Sequence, residues 1–177
     1  PFHTQTFEAV AAHSPGVDVM MPSTAPEAAA LLNVALQSRR PTVFLYPKNL
    51  LNNRTVGAKT GVEEGWVRPA TARLVRPGTD VCLVGYGNTV AVCQEAADTL
   101  AQFDLSAAVI DLRCIQPWDE ALVIREAERC GHLVVVHEDN LSFGVGAEIC
   151  ARVVERAACP VKVRRVARPD TYLPYHF

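Results

Sequence analysis

Between residues 80 and 166 the chain repeats one pattern, in which a short apolar run leads into a polar or glycine-bearing turn and then an amphipathic segment. The apolar runs are residues 80–84, 107–112, 133–136 and 161–166. Each run has the length of a buried strand, and the segments between them have the period of helices of roughly 12 to 16 residues. Strands that alternate with helices are joined by right-handed crossovers into a mostly parallel sheet. The sequence therefore predicts an α/β fold.

The first fifty residues contain a smaller unit of the same kind. Residues 17–21 and 42–46 are predicted strands, the second of them of the buried type, and residues 26–36 are a predicted helix. Thr24 suits its N-cap, and Glu27 lies near the positive end of the helix dipole. A lone two-stranded sheet is not independently stable. We therefore expect further strands to pair with it, most simply strands upstream of this sequence.

Residues 47–77 show no sustained hydrophobic period and are rich in Asn and Gly. The simplest interpretation is a surface connection, and its length favours a linker between domains.

The composition limits the kinds of partner to expect. A formal charge of -2 gives no reason to expect binding to nucleic acid or to an anionic membrane. The six cysteines form no C-x-x-C pair, so we expect reduced thiols and a cytoplasmic protein. No apolar run approaches the ~18 residues of a membrane span.

Polar side chains follow the predicted strands at their carboxyl ends, where open α/β sheets bind ligands. His137 and Glu138 follow the run at 133–136 and are candidate residues of an interface or channel. They suit either acid–base chemistry or a hydrogen-bonded interface pair. His3 precedes a predicted helix, where a loop would present its imidazole to a cleft, and the alternative is a stray terminal histidine.

Gly85-Tyr-Gly87 follows one strand, and Asp111 ends the next, which imitates a dinucleotide-binding fingerprint. Val90 occupies the third motif position, where Gly or Ala would allow close packing of helix and strand. An ordinary tight turn is the alternative to a nucleotide site. His137-Glu138 is not a zinc-protease pair, because Leu141 stands where that motif needs a second His.

Nine further segments form a series along nearly the whole chain. They are His3-Thr-Gln-Thr-Phe-Glu-Ala, His13-Ser-Pro-Gly16, Val19-Met-Met-Pro-Ser23, Phe44-Leu-Tyr-Pro-Lys48, Val109-Ile-Asp-Leu-Arg113 with Pro117-Trp-Asp119, Phe143-Gly-Val-Gly-Ala-Glu-Ile149, and Pro169-Asp-Thr171 with Pro174-Tyr175. In this order they resemble the β subunit of the thiamine-diphosphate-dependent E1 component of 2-oxo acid dehydrogenase complexes, a member of the transketolase superfamily. No single segment is decisive, but so many in register are specific.

The resemblance implies three parts: residues 1–48 as the C-terminal part of a pyrimidine-binding-type domain, residues 49–73 as a linker, and residues 74–177 as a transketolase C-terminal-type domain. It implies that His3 is the catalytic residue of this chain, acting in proton transfer and in passing the acyl group onward. The cofactors implied are thiamine diphosphate and Mg²⁺, bound mainly by residues outside this chain.

The resemblance also implies partners and a limit on activity. The partners are an E1 α-type chain or N-terminal half, a second copy of this chain, and a lipoyl E2. The glutamate that activates the cofactor and the Gly-Asp-Gly motif lie outside these residues, so we expect the chain to be inactive alone. Some relatives hold an alkali cation just before the strand at 42–46. Ser38 and Arg40 stand there instead, and Arg40 can supply the positive charge, so we predict no metal.

Three functional hypotheses remain open at this stage. The first is a C-terminal fragment or split chain of an E1 β-type subunit, which decarboxylates a 2-oxo acid and transfers the acyl group to E2. The second is a non-catalytic module that dimerises and docks E2, in which His3 is incidental. The third is a nucleotide-binding α/β domain that uses Gly85 and Gly87.

Overall fold

The computed structural model describes residues 5–51 and 70–172 of the chain, arranged around two sheets. The smaller sheet has three strands, β1 (Asp18–Met20), β2 (Thr42–Phe44) and β6 (Cys114–Gln116), in the order β2-β1-β6. Three helices accompany it, namely α1 (Glu8–Ala12), α2 (Ala25–Gln37) and α3 (Lys48–Leu51). Strand β1 runs parallel to β2 and antiparallel to β6, so the sheet combines strands from distant parts of the chain.

The larger sheet has five strands, β3 (Arg73–Arg76), β4 (Val81–Gly85), β5 (Ala107–Asp111), β7 (His132–Asn140) and β8 (Lys162–Arg168). Their order is β3-β5-β4-β7-β8, and every pairing is parallel except that of β3 with β5. The connecting helices are α4 (Thr89–Ala101), α5 (Glu120–Cys130) and α6 (Val145–Arg156). The predicted α/β class with a mostly parallel sheet is confirmed.

Helices cover both faces of the larger sheet, which explains why its central strands are apolar throughout. Successive side chains of a strand point to opposite faces. In β4, Leu83 packs with Cys93 of α4, whereas Val84 packs on the other face with Val123 of α5 and Ile149 of α6. Strand β5 is buried at every position for the same reason. The core therefore forms two layers, one on each side of β4 and β5.

Local sequence signals set the start of α2 and the end of α5. Thr24 is extended, and its side chain accepts a hydrogen bond from the Glu27 amide at the start of α2. At the C-terminal end of α5, Gly131 adopts a φ of 67°, the left-handed conformation that glycine enters without a side-chain clash. The N-cap predicted at Thr24 is observed, and Gly131 is the C-cap of α5.

The structure differs from the sequence analysis in three places. Helix α3 and strand β3 lie within residues 47–77, which had been interpreted as an irregular connection, because elements of four residues are too short to show a period. Strand β6 was not predicted, and it pairs with β1, so one partner of the small sheet comes from downstream rather than upstream. Strand β2 is half-buried and not the buried strand expected. The domain boundaries at 48 and 74 stay a prediction.

The side chain of Asp119 accepts hydrogen bonds from two backbone amides that lie far apart in the sequence. Asp119 Oδ1 accepts a hydrogen bond from the Leu122 amide, which caps α5, at 3.0 Å. Its Oδ2 accepts from the Ala72 amide, just before β3, at 3.1 Å. Because the two acceptors lie on one rigid group, Asp119 fixes the entry of β3 relative to α5.

We expect Asp119→Ala to lower the free energy of unfolding by about 2 kcal/mol, since a helix cap and a second backbone hydrogen bond are both lost. Asp119→Asn, which keeps one acceptor, is expected to lose about half of that. Urea denaturation measures both, with Glu95→Ala on the exposed surface of α4 as the control. Equal midpoints for Asp119→Ala and the control would contradict the dual-anchor role.

Candidate functional site

Two buried polar clusters lie where the carboxyl ends of β4, β5 and β7 meet the smaller sheet. The first is built around His137, which shares a face of β7 with Leu133 and Val135 and is 3% exposed. Its ring lies so close to the start of α6 that a Cβ atom at Gly144 would be 2.7 Å from Cε1, and one at Gly146 would be 2.5 Å from Nε2. Both positions therefore require glycine, because a side chain at either one would clash with the His137 ring.

The environment of His137 favours the neutral imidazole. Burial lowers its pKa, and within the described part of the chain neither ring nitrogen has a hydrogen-bond partner. The ring lies parallel to that of Tyr86, with centroids 6.4 Å apart and an interplanar angle of 6°. Tyr86 follows directly after β4 and is itself 2% exposed.

Tyr86 connects the first cluster to the N-terminal part of the chain. Its hydroxyl donates a hydrogen bond to Glu8 Oε1 at 3.2 Å, and Glu8 is 1% exposed at the start of α1. Burial raises the pKa of Glu8, and the nearby carboxyl of Asp139 adds to the effect. Burial also raises the pKa of Tyr86 well above its ordinary value. Both shifts favour the uncharged forms of the pair.

Glu138 does not join this cluster, although it adjoins His137 in sequence. Alternation along β7 places it on the opposite face, where it is exposed and accepts a hydrogen bond from Asn88 Nδ2 at 2.6 Å. The structure thus separates the two predicted site residues, and their shared interface or channel role stays a prediction. His3 lies outside the described residues.

The second cluster was not predicted and joins the two sheets directly. The Ser23 hydroxyl, in the turn after β1, lies 2.7 Å from Glu27 Oε2 and 2.5 Å from Asp111 Oδ2. Arg113 contacts Glu27 Oε1 through Nε and Nη2, both at 2.9 Å. The Nε atom of Arg73 lies 3.0 Å from the same oxygen. Asp111 is fully buried, and Ser23 and Glu27 are nearly so.

A single serine proton cannot satisfy two carboxylates, so this geometry calls for a second proton. Burial and then the neighbouring charge of Glu27 raise the pKa of Asp111 to about 8. Burial also acts to raise the pKa of Glu27, but hydrogen bonds from Asp111 and Ser23 and the charge of Arg113 outweigh it, and the net pKa is lowered. The extra proton therefore resides on Asp111, whose carboxyl group lies beside both the Ser23 hydroxyl and the ionised Glu27.

The turn at Gly85-Tyr-Gly87 is occupied by protein rather than open to a ligand. The Tyr86 amide donates to Thr89 Oγ1 at 3.1 Å. A Cβ atom at Gly87, whose φ is 56°, would lie 2.7 Å from Met21 Sδ and 2.9 Å from Pro47 Cγ. The close approach that a glycine permits here is to the smaller sheet. This packing favours the structural interpretation over the nucleotide fingerprint.

The positive charge expected before β2 is present. Arg40 Nε lies 2.8 Å from Asp18 Oδ1, and the Asp18 side chain is 4% exposed. The guanidinium thus neutralises a buried carboxylate where a bound cation was doubted. Within residues 5–51 and 70–172, no three His, Cys, Asp or Glu side chains come together as a metal site requires.

An open pocket of about 430 Å³ lies between α1, β6 and the start of α6. It is lined by Ala9, Ala12, His13, Ile115, Gln116, Trp118, Phe143, Gly144, Val145, Ala147 and Glu148. Phe143 is 95% exposed and has a φ of 61°, which is unusual for a bulky side chain.

Among the helices that the structure describes, none has the length and apolar character needed to cross a bilayer.

A fold of two α/β units, joined at the carboxyl ends of the larger sheet, defines a transketolase-type protein. Residues 70–177 match the family model described as transketolase, C-terminal domain, and residues 2–54 match that of the transketolase pyrimidine binding domain. The chain therefore belongs to the transketolase family.

The relatives narrow this class to a particular kind of subunit. Pyruvate dehydrogenase E1 component subunit beta of Bacillus subtilis (strain 168) is 34% identical over 98% of this chain and 53% of its own length. The mitochondrial 2-oxoisovalerate dehydrogenase subunit beta of Dictyostelium discoideum is 32% identical over 99% of this chain and 48% of its own. The chain thus spans about half the length of the curated relatives it matches. The predicted resemblance is confirmed.

A solved structure described as a split gene transketolase, inactive beta4 tetramer, has the same fold. It superposes with a TM-score of 0.77 and 22% sequence identity, over 92% of this chain and 51% of the other. At this identity the likeness concerns the fold alone.

We expect the free energy of unfolding to fall as the pH rises from about 4 to about 8 and then to level off. An unfolded Asp titrates near 3.9, whereas folded Asp111 titrates at about 8, so between these values the folded chain binds one more proton. The lowered pKa of Glu27 acts in the opposite sense, but only below its ordinary value of 4.5. Above about pH 5 the raised pKa of Glu8 adds to this fall and the lowered pKa of His137 opposes it, so the contribution of Asp111 is the part of the slope that its own substitution removes.

Asp111→Asn is expected to remove the Asp111 contribution to this slope, because an amide carries a hydrogen-bond donor at every pH. Urea denaturation from about pH 5.5 to 8.5 measures the slope, to which Asp111 contributes at most about 1.4 kcal/mol per pH unit. Asp104→Asn, at an exposed position with a left-handed backbone that Asn tolerates, is the control. An unchanged slope in Asp111→Asn would show that Asp111 is already ionised in the folded chain.

Proposed function

We propose that this chain is part of the β-type subunit of a thiamine-diphosphate-dependent 2-oxo acid dehydrogenase E1. The assembled enzyme decarboxylates a 2-oxo acid and passes the acyl group to a lipoyl E2. The observation that carries this proposal is the 34% identity to a pyruvate dehydrogenase E1 subunit beta over 98% of the chain. The two-unit fold with its buried polar junction supports it.

Thiamine diphosphate supplies the carbanion stabilisation in this chemistry when it is bound. The described residues provide no cluster of acidic or histidine ligands for Mg²⁺. The carboxyl ends of β4 and β5, where a ligand is ordinarily held, are covered by Ser23, Met21 and Pro47. The proposal therefore assigns the cofactor to groups outside this chain and gives the chain itself a wall of the site and the imidazole of His3.

The assembly proposed follows from this division. An E1 α-type chain or N-terminal half contributes the cofactor site, and a second copy of this chain completes the oligomer. A lipoyl E2 receives the product. The buried, reduced cysteines of the core suit a cytoplasmic setting, because each is a free thiol.

A second candidate is a non-catalytic module that dimerises and docks E2. Phe143 favours it, since a bulky aromatic side chain exposed at 95% beside a pocket is the kind of group that anchors a partner. In this alternative His3 is incidental. The two candidates differ in what removal of the imidazole does.

We expect the purified 177-residue chain, supplied with thiamine diphosphate and Mg²⁺, to show no decarboxylation of 2-oxo acids. The same chain assembled with the chains that supply the activating glutamate and the Gly-Asp-Gly motif is expected to be active. Carbon dioxide release measures both. Turnover by the isolated chain would show that the catalytic groups assigned to other chains are not needed.

In the assembled enzyme, His3→Ala is expected to lower acyl transfer to lipoamide by about 100-fold, the usual contribution of a proton-transfer group. His13→Ala, at an exposed position after α1, is the matched control and is expected to retain activity. Unchanged acyl transfer in His3→Ala would favour the non-catalytic module.

A further inference from the structure

Two contacts tie the segment just after His3 to the larger sheet. Gln5 Oε1 accepts a hydrogen bond from Arg168 Nη2, at the end of β8, at 2.7 Å. Three residues later, Glu8 accepts from the Tyr86 hydroxyl. Gln5 stands two residues after His3 in the sequence, so both anchors lie within five residues of the proposed catalytic imidazole.

The two anchors differ in kind. Gln5 is exposed, and Arg168 also bonds Asn140, so water competes for that contact. The contact between Glu8 and Tyr86 is sealed, with exposures of 1% and 2%. A hydrogen bond in a buried site resists competition by water and leaves a costly unpaired group when it is broken.

The direction of the Tyr86 hydroxyl is fixed by a column of packed groups. Gly144 and Gly146 seat the His137 ring, and Tyr86 lies parallel to that ring. Tyr86 is 2% exposed, so its ring is surrounded by protein, and its hydroxyl is directed to Glu8 at the start of α1. A chain of contacts thus runs from α6 and β7 through His137 and Tyr86 to Glu8.

We infer that Glu8 and Tyr86 are positioning residues: their hydrogen bond holds the start of α1, five residues after His3 in the sequence, against the larger sheet. The inference rests on the proposed function only for the catalytic role of His3. The anchoring itself follows from the buried geometry.

The charged and titratable groups that face the pair decide which form of Glu8 makes this contact. They are His137 and Asp139 from β7, the exposed Glu138 beyond them, and Arg165 from β8, which acts on His137. Ionised Glu8 would face the carboxyl of Asp139 without a positive partner among these groups. Burial and the Asp139 carboxyl both raise the pKa of Glu8 and so favour the neutral acid, and Gln is the replacement of similar size that stays neutral.

The first test uses the 177-residue chain and does not require activity. In Tyr86→Phe, hydrogen exchange of the Ala11 and His13 amides, which bond Phe7 and Ala9 within α1, is expected to accelerate about fivefold. Tyr172→Phe, which removes a hydroxyl from an exposed ring, is the control and is expected to leave exchange unchanged. Equal exchange in Tyr86→Phe and the control would overturn the inference.

The second test uses the assembled enzyme. Tyr86→Phe and Glu8→Ala are expected to lower acyl transfer to lipoamide at least tenfold with unchanged KM, whereas Glu8→Gln is expected to stay within twofold of the natural enzyme. Glu8→Gln should also flatten any loss of activity that the natural enzyme shows as the pH rises and Glu8 ionises. A Glu8→Gln variant as impaired as Glu8→Ala would contradict a neutral positioning acid.

The two tests separate the inference from the proposed function. An assembled enzyme without any 2-oxo acid decarboxylation would overturn the proposed function, while the exchange measurement would still judge the anchor. An active enzyme in which Tyr86→Phe changes neither exchange nor acyl transfer would overturn the anchor alone.

Discussion

One hydroxyl between two buried carboxyl groups holds the two sheets of this protein together. Ser23 belongs to the turn after β1, and Asp111 ends β5 of the other sheet. Neither carboxyl group can be left ionised without a partner, since burying an unpaired charge is costly. The structure meets this requirement by keeping a proton on Asp111 and directing two guanidinium groups to Glu27. The junction is thus specific for one relative placement of the sheets.

The backbone after β5 is arranged around the same junction. Arg113 has a φ of 60°, a left-handed conformation that costs roughly 1–2 kcal/mol for a residue with a side chain. This turn brings the Arg113 amide to Asp111 Oδ1 and its guanidinium to Glu27. Its carbonyl accepts from the Met21 amide, and the next residue, Cys114, begins β6 in the smaller sheet. The local strain is offset by the contacts that join the units.

The sequence predicted what depends on neighbours along the chain. Helix α4 was expected between the predicted strands at 80–84 and 107–112 and is observed at Thr89–Ala101, because its apolar period is long enough to detect. Strands β3 and β6, of four and three residues, owe their existence to partners far away in the sequence, and no local pattern marks them.

The same distinction applies to the site. His137 and Asp111 were noticed because polar residues at strand ends stand out from apolar runs. The contacts that complete the two clusters could not be foreseen, because they join residues far apart in the sequence. Ser23 lies 88 residues from Asp111, and Glu8 lies 78 residues from Tyr86. The one available signal was Glu27, a carboxylate in the first turn of α2, which local rules explain fully as a dipole partner. A buried role for it required the fold.

The carboxyl ends of parallel strands usually form an open crevice for ligands. Here the ends of β4 and β5 are closed by the smaller sheet, through Met21 and Pro47 against Gly87 and through Ser23 against Asp111. The polar groups at this edge consequently serve to join two units rather than to bind a small molecule. At the rim of this junction the start of α1 contacts Tyr86 through the buried carboxyl group of Glu8. Because water does not compete for a buried contact, the hydrogen bond at Glu8 fixes the start of α1 more firmly than its exposed neighbour at Gln5.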